Sequence, residues 1–320
     1  MFNKVIFWLN NARLFSLPMT LMSWIIIFTY SLKEGGNVIN GILALIGIAF
    51  AHLATNLFDD YIDYKTLSTN KEFMENTVKS KCNYIKEGKA TPSDLLRVVM
   101  IFCGISFVIG AILTLRCGWE VIELAIIGGI ITLSYAKLSS NGLSELAVGT
   151  AFGPLLFEGV YFVMTGHFSI EVFILSIAVV VFTIGLLYVH NLLDFDGDMC
   201  AHKKTLCCRI GNKDKALNFL ILLYGLGYTM CFVLCFLGHS LFYLLPVMTI
   251  PLAIMLFVLV KMYNNNPKWL PAIKWWYYPL DNWDKVKQEG TESFYLRLYQ
   301  ARNLMVWFAL LMLIAVFLTK

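Results

Sequence analysis

Nine apolar stretches constrain this chain more than any other feature of its sequence. A helix that crosses a membrane needs about 20 mostly apolar residues, and a backbone in lipid has to satisfy its hydrogen bonds internally. Because the stretches lack the polar–apolar alternation of a β-barrel, we predict helices. The predicted spans are residues 14–32, 39–58, 95–115, 119–137, 143–165, 170–193, 216–237, 240–262 and 302–319.

The composition supports this class of protein. Hydrophobic residues make up 58% of the chain and charged residues 14%, against about 45–50% and about 25% in soluble domains. We therefore predict an all-α, polytopic membrane protein in which residues 1–320 form a single membrane-embedded domain. The net charge of +4 is modest, so nucleic acid is not an expected partner.

The basic residues predict how the helices are oriented. Cytoplasmic loops of membrane proteins carry an excess of Lys and Arg. With the N-terminus in the cytoplasm, the external segments hold Lys33, Arg116 and Lys320, and the rest of the 25 basic residues are cytoplasmic. We therefore predict an inner-membrane protein with a cytoplasmic N-terminus, an external C-terminus and long cytoplasmic loops after the second and sixth helices. A third cytoplasmic loop, 263–301, is rich in Trp and Tyr and is predicted to lie at headgroup depth.

The second predicted helix ends in a cluster of acids within "NLFDDYIDY", residues 56–64. Asn56, Asp60 and Asp63 are spaced by four and three residues, so they share one helix face. Asp59 is offset from that face but stays close to it. Acids at the mouth of a membrane-length helix are costly and are typical of functional sites.

The sixth predicted helix ends in a matching pattern within "HNLLDFDGD", residues 190–198. Asn191, Asp194 and Asp198 share one face if the helix continues, whereas Asp196 points away. Carboxylate and amide oxygens suit Mg²⁺, which commonly bridges carboxylates to substrate phosphates. The two sets therefore predict a Mg²⁺–diphosphate site between two related halves of the chain. The alternative interpretation is that these acids are solvated residues that cap helix ends and pair with nearby lysines.

Basic residues follow both acidic sets and are expected to contact the outer oxygens of a diphosphate. They are Lys79 and Lys81 after the first set, and Lys203, Lys204 and Arg209 after the second. An apolar tail on the diphosphate would run between the helices into lipid.

A cation-coupled transporter is a competing class, but transporters place acids near mid-membrane, whereas both sets here lie at one face. A non-catalytic scaffold would not need two matched sets.

These motifs resemble the UbiA superfamily of intramembrane prenyltransferases, most closely its 1,4-dihydroxy-2-naphthoate polyprenyltransferases. "NLFDDYIDY" is similar to that family's N-L-x-N-D-Y-x-D, although Asp59 stands where the family usually has Asn. "NLLDFDGDMCAHKKTLCCRIG" is similar to its N-x-R-D-x-x-x-D-x-x-x-G-K-x-T-L-x-x-x-x-G. "GLSELAVGTAFGPL", which starts at Gly142, resembles its G-x-x-E-x-x-V-x-x-x-F-G-P-L, so that Glu145 matches the family's Glu. Soluble isoprenyl diphosphate synthases share a DDxxD pattern but not nine spans.

The resemblance implies Mg²⁺-dependent transfer of a polyprenyl group from a polyprenyl diphosphate to an aromatic acceptor at the bilayer. A dihydroxynaphthoate of menaquinone synthesis is the favoured acceptor, and 4-hydroxybenzoate is the alternative. The two Asn/Asp sets would hold the metal, with Asp60 and Asp194 acting in catalysis and Asp59 auxiliary. Tyr135 is expected to stabilise an allylic cation with its ring or to serve as an interfacial anchor. His190 is expected to contact the acceptor, act as a base or simply pack at the helix end.

Overall fold

The computed structural model describes residues 2–68, 82–200 and 204–319, and the regular secondary structure in these ranges is helical. Nine long helices in this part of the chain, numbered α1 to α9, follow the nine predicted spans in order. They are α1 (Leu17–Lys33), α2 (Val38–Leu67), α3 (Pro92–Cys117), α4 (Glu120–Ser140), α5 (Ser144–Thr165), α6 (Ile170–Leu193), α7 (Lys213–Leu237), α8 (Leu241–Asn265) and α9 (Glu292–Leu318). Short helices span Phe2–Asn11, Asn83–Lys86, Phe195–Cys200, Leu206–Ile210 and Trp283–Gln288.

Seven of these helices, α2, α3 and α5 to α9, are long and apolar enough to cross a membrane. Helix α1 is apolar but has only 17 residues. The all-helical class predicted from the sequence is therefore confirmed, and the number of nine membrane crossings stays a prediction. Helix α5 is distorted midway, where Gly153 has non-helical backbone angles and Pro154 follows it.

Side-chain caps define where two of the long helices begin. At the start of α2, the side chain of Asn37 accepts a hydrogen bond from the backbone nitrogen of Asn40. At the start of α3, Thr91 and Asp94 form a capping box around Pro92, which satisfies backbone donors that have no partner inside the helix. Helices α2 and α3 begin at Val38 and Pro92, close to the starts at residues 39 and 95 that hydropathy predicted.

Sequential helices pack in pairs, α2 against α3 and α6 against α7. The contact between α6 and α7 depends on glycine, since a β-carbon on Gly185 would lie 2.5 Å from the ring of Tyr224. A β-carbon on Gly227 would lie equally close, 2.5 Å, to Val181. Helix α9 then packs against α6, α1 and α8. Each of the two acid-bearing helices, α2 and α6, is thus paired with the helix that follows it.

Contacts between helix termini show which end of the bundle carries the acids. Lys33, at the end of α1, donates to the carbonyl of Val316 near the end of α9 over 2.7 Å. Asn40, at the start of α2, donates to the carbonyl of Val163 near the end of α5, also over 2.7 Å. The acidic ends of α2 and α6 therefore lie at the opposite end of the bundle from the C-terminus of α9.

Candidate active site

The acidic end of α2 is held by a cation from the segment before α1. Arg13 Nη2 lies 2.6 Å from Asp60 Oδ1 and 3.6 Å from Asp59 Oδ2, and both carboxylates are buried. Burial acts to lower the pKa of Arg13, but the charges of Asp60 and Asp59 outweigh it and raise that pKa above its ordinary value. Arg13 therefore stays charged and offsets the negative charge of this cluster. Helix α2 continues unbroken through Asp63, which is half-buried.

Tyr84 contacts the second carboxylate oxygen of Asp60. Its hydroxyl donates to Asp60 Oδ2 over 3.2 Å. Burial, followed by the charge of Asp60, raises the pKa of the Tyr84 phenol, so the hydroxyl remains a donor. The Cys82 thiol donates to the backbone carbonyl of Asp60 over 3.1 Å. Asp60 is thus fixed from two directions, by the segment before α1 and by residues 82–84.

The side-chain amide of Asn56 is oriented by the same N-terminal segment. Its Nδ2 donates to the carbonyl of Ala12 over 3.0 Å and to Ser16 Oγ over 3.2 Å. A backbone carbonyl only accepts hydrogen bonds, so the nitrogen of this amide has to face Ala12. The oxygen of the Asn56 amide is therefore turned away from Ala12 and Ser16. A side-chain oxygen that binds a metal ion needs this orientation.

His52, one helical turn before this set, ties α2 to the start of α1. Its Nε2 lies 3.1 Å from Ser16 Oγ, and its Nδ1 lies 2.8 Å from Thr20 Oγ1. The single hydroxyl proton of Ser16 is donated to the carbonyl of Arg13 over 2.8 Å. With that proton used, His52 Nε2 is the donor to Ser16, and in the neutral tautomer Nδ1 accepts from Thr20. His52 thus belongs to the hydrogen-bond network that fixes the position of Arg13.

Glu145 at the start of α5 orients the amide of the second set. Asn191 Nδ2 donates to Glu145 Oε1 over 2.9 Å, and the Ser144 hydroxyl donates to Glu145 Oε2 over 2.9 Å. All three side chains are buried. The nitrogen of the Asn191 amide therefore faces Glu145, and its oxygen is directed away.

The acids that follow α6 are arranged across a helix break. Helix α6 ends at Leu193, and a short helix begins at Phe195. Across this break, the backbone nitrogen of Asp198 still donates to the carbonyl of Asp194 over 2.8 Å. Asp198 is buried, whereas the side chain of Asp194 is 45% exposed, with its Oδ2 3.6 Å from His190 Nδ1. Asp196 points outward and pairs with Lys213 over 2.6 Å.

Helix α4 lies beside the first acidic set. The hydroxyl oxygens of Thr55, one residue before Asn56, and Thr132 on α4 lie 3.2 Å apart, within hydrogen-bond distance. Tyr135 follows Thr132 by about one helical turn, and it is among the groups that raise the pKa of Arg13. Tyr135 therefore lies near Arg13 and the acids of α2, and its role, as a cation-stabilising ring or as an interfacial anchor, stays a prediction.

The turn between α4 and α5 packs against the basic segment that follows α6. Gly142 has φ of +68°, and a β-carbon there would collide with the carbonyl of Lys204 and lie 2.9 Å from Arg209 Nε. Only glycine therefore lets the basic segment after α6 approach this turn, next to Glu145. Lys204 and Arg209 are both exposed. The predicted diphosphate-binding residues Lys79, Lys81 and Lys203 lie outside the described residues.

The oxygen donors of the two Asn/Asp sets determine whether a Mg²⁺ ion fits this site. Within residues 2–68, 82–200 and 204–319, no three His, Cys, Asp or Glu side chains converge closely enough to hold a metal ion by themselves. Mg²⁺ is, however, usually bound by one or two carboxylates together with water and substrate phosphates, and seldom by a cage made of protein alone. The oxygen donors of each Asn/Asp set fit half of such a site, which a diphosphate would complete.

The comparison with known protein families identifies the family of this chain. A model of the UbiA prenyltransferase family matches residues 16–278. The chain belongs to the UbiA prenyltransferase family. Together with its long apolar helices, this makes it an integral membrane protein. A curated relative, the 1,4-dihydroxy-2-naphthoate octaprenyltransferase of Bacillus subtilis (strain 168), is 21% identical over 188 residues, and this alignment covers 58% of each chain.

Solved structures share the fold of this UbiA family member. One, of digeranylgeranylglyceryl phosphate synthase, has a TM-score of 0.61 and 15% identity, covering 98% of this chain and 99% of the other. A UbiA homolog from Archaeoglobus fulgidus, bound to DMAPP and Mg²⁺, has a TM-score of 0.59 and 12% identity, covering 93% and 99%. A UbiA homolog from Aeropyrum pernix K1 has a TM-score of 0.59 and 13% identity, covering 93% and 98%. These likenesses establish the fold.

The sequence did not lead us to three residues around the first set. Arg13 and Tyr84 contact Asp60, and His52 contacts Ser16, which accepts from the Asn56 amide. His52 lies four residues before Asn56, which lies four residues before Asp60. Helical periodicity could therefore have placed His52 on the same face as these two residues. In the sequence, Arg13 contributed only to the predicted orientation of the helices across the membrane. A single cation just before an apolar span also suggests an acidic partner. Tyr84 gave no signal of its own, because it lies in a long loop and meets Asp60 only in the folded protein.

Proposed function

We propose that this protein transfers a polyprenyl group from a polyprenyl diphosphate to an aromatic acceptor in a Mg²⁺-dependent reaction. The observation that carries the proposal is the pair of Asn/Asp sets at one end of a UbiA-type bundle, each with an Asn whose nitrogen is bound by the protein and whose oxygen is turned away. A 1,4-dihydroxy-2-naphthoate is the favoured acceptor, supported by the Bacillus subtilis relative, and 4-hydroxybenzoate is the alternative.

The reaction begins with cleavage of the allylic C–O bond, and the diphosphate leaves with the bonding electron pair. For a dihydroxynaphthoate, the ring carbon that bears the carboxylate forms the new C–C bond. The carboxylate then leaves as CO₂, and its bonding pair remains in the ring, which becomes aromatic again. Charge accumulates on the leaving diphosphate, so stabilising that charge is the first requirement of catalysis.

The proposed metal ligands meet this requirement from two helices. Mg²⁺ would act as a Lewis acid on the diphosphate oxygens. Its ligands would come from the set Asn56, Asp60, Asp63, Asn191, Asp194 and Asp198. Lys204 and Arg209, with Lys79, Lys81 and Lys203, would contact the outer diphosphate oxygens.

The remaining parts of the site protect and stabilise the allylic cation. The proposed role of the Tyr135 ring is to face the cation, since an aromatic face attracts positive charge. Apolar helix surfaces would surround the polyprenyl chain and exclude water, which would otherwise trap the cation. We place the site on the cytoplasmic side of the inner membrane, as the distribution of basic residues predicts.

Mass spectrometry of quinones from cells that lack the gene tests this proposal. Prenylated naphthoquinones should disappear, dihydroxynaphthoate should accumulate, and the wild-type gene should restore both to normal. Asp194→Ala should fail to restore them. Asp196→Ala is the matched control and should succeed, because Asp196 faces outward and pairs only with Lys213 among the contacts described. Normal naphthoquinones in the deletion strain would contradict the favoured acceptor, and a loss of prenylated 4-hydroxybenzoate products would support the alternative.

A further inference from the structure

The buried carboxylate of Glu145 has no role in the reaction described so far. We propose that Glu145 is a positioning residue that holds the Asn191 amide with its oxygen toward the Mg²⁺–diphosphate site. This inference rests on the proposed function, because it assigns a purpose to Asn191 that only that site provides. Glu145 would act through Asn191, without touching the substrate.

The geometry leaves one orientation for the amide. Glu145 is 6% exposed and Asn191 is 9% exposed, and their Oε1 and Nδ2 atoms lie 2.9 Å apart. The other oxygen of Glu145 accepts from the Ser144 hydroxyl over 2.9 Å, so the carboxylate is itself locked. Because the oxygen and nitrogen of an amide are bonded to the same planar carbon, binding the nitrogen directs the oxygen to the opposite side.

The first acidic set uses the same arrangement with different partners. Asn56 donates from its nitrogen to the carbonyl of Ala12 and to Ser16 Oγ. These acceptors belong to the segment before α1, whereas Glu145 belongs to α5. Two unrelated elements thus bind the amide nitrogens of two equivalent asparagines. Packing alone gives no reason for both amide nitrogens to be bound by the protein. A shared metal site does give one, because both amide oxygens then have to face that site.

The pairing also explains why residue 191 is asparagine and not aspartate. An aspartate here would in principle be the better ligand for Mg²⁺ because it adds a negative charge. It would also bring two carboxylates to about 2.9 Å from each other in a buried setting, where both cannot carry a negative charge at once. Exchanging the two groups should remove the conflict, since a glutamine at position 145 could donate its own amide hydrogen to an aspartate at position 191.

Ligand-induced thermal stabilisation of the purified protein by Mg²⁺ with inorganic pyrophosphate provides a test that does not depend on turnover. The wild type should be stabilised, since a ligand that binds only the folded state raises the midpoint. Glu145→Gln should bind nearly as well, because glutamine retains an acceptor for Asn191. Glu145→Met and Asn191→Asp should each weaken binding by about 10–100-fold, the usual cost of losing an orienting partner. The double variant Glu145→Gln/Asn191→Asp should recover binding.

The outcomes separate this inference from the proposed function. If the wild type gained no stability, the Mg²⁺–diphosphate site and the inference would both be wrong. If the wild type responded but Asn191→Asp bound equally well or better, only the positioning role would be wrong. The positioning role would also be wrong if Glu145→Gln lost as much binding as Glu145→Met, or if the double variant failed to exceed Asn191→Asp. The midpoint of thermal unfolding without ligand shows whether each variant is folded. If Glu145→Met does not fold, the comparison of Asn191→Asp with the double variant still decides the question.

Discussion

Replacing Arg13 by Gln should destabilise the metal-free protein by about 2 kcal/mol. The side chain of Asp60 is only 5% exposed and would keep the Tyr84 hydroxyl as a donor but lose the guanidinium 2.6 Å away. Removing one partner of a fully buried ion pair costs about 3–5 kcal/mol, whereas exposed pairs contribute about 0–1 kcal/mol. Arg13 is 28% exposed, so water can partly replace it. An intermediate value of about 2 kcal/mol, roughly a 30-fold change in the folding equilibrium, is therefore expected.

Magnesium should reverse part of this loss. In the wild type, a Mg²⁺ ion at Asp60 has to compete with Arg13 for the same carboxylate oxygen. In Arg13→Gln, that competition is absent and the carboxylate has lost the guanidinium charge, so Mg²⁺ should bind more tightly and stabilise the variant more than the wild type. Thermal unfolding of the wild type and of Arg13→Gln is compared in one detergent, first with EDTA and then with saturating Mg²⁺. The first condition measures the loss of stability, and the second measures how much Mg²⁺ restores.

Arg97→Gln is the matched control for this experiment. Arg97 is 75% exposed, and its 3.4 Å pair with Asp94 is also solvent-accessible. Its replacement should change stability by less than about 1 kcal/mol and should not alter the response to Mg²⁺. If Arg13→Gln were no less stable than Arg97→Gln, the contact with Asp60 would contribute nothing net. If Mg²⁺ stabilised the wild type and Arg13→Gln equally, Arg13 and the metal would not share Asp60.

Three further predictions concern the acids and the topology. Asp60→Ala and Asp194→Ala should each lower turnover by at least about 10²–10³-fold, the cost of losing an electrostatic stabiliser, in protein that still folds in membranes; wild-type rates would contradict the metal assignment. Asp59→Asn should keep substantial activity whereas Asp60→Asn should not, because an amide cannot replace the charge of the principal carboxylate; the reverse result would require a different helix face. A cysteine introduced at Lys320 should react with an impermeant thiol reagent from outside the cell, and labelling only after lysis would overturn the predicted orientation.

The helical spans were predictable because each one depends on local hydrophobicity and length. Helix α9 shows where that reasoning stops, since it begins at Glu292 and not at residue 302. Its first turns carry polar residues that hydropathy assigns to a loop. In the folded protein, Arg297 is fully buried and donates to the carbonyls of Leu259 and Trp269. These partners lie far away in the sequence, so no local pattern could reveal them.

The candidate site was predictable to the same extent. The shared face of Asn56 and Asp60 follows from helical spacing, and α2 is unbroken through both residues. The contacts of Arg13 and Tyr84 with Asp60 join segments separated by long stretches of chain. The bond between Glu145 and Asn191 likewise depends on how α5 packs against α6. Sequence therefore identified the proposed ligands, but the residues that orient them emerged only from tertiary structure.

A reconstituted assay tests most directly whether the protein transfers a polyprenyl chain to an aromatic acid in a Mg²⁺-dependent reaction. Purified protein in liposomes would receive a labelled polyprenyl diphosphate and 1,4-dihydroxy-2-naphthoate, first with Mg²⁺, then with excess EDTA, then with Mg²⁺ restored. We expect a prenylated naphthalene product, with one diphosphate and one CO₂ released for each product molecule. Turnover should stop in EDTA and return with Mg²⁺. Full activity in EDTA, or no transfer to this or any other aromatic acid when Mg²⁺ is present, would contradict the account.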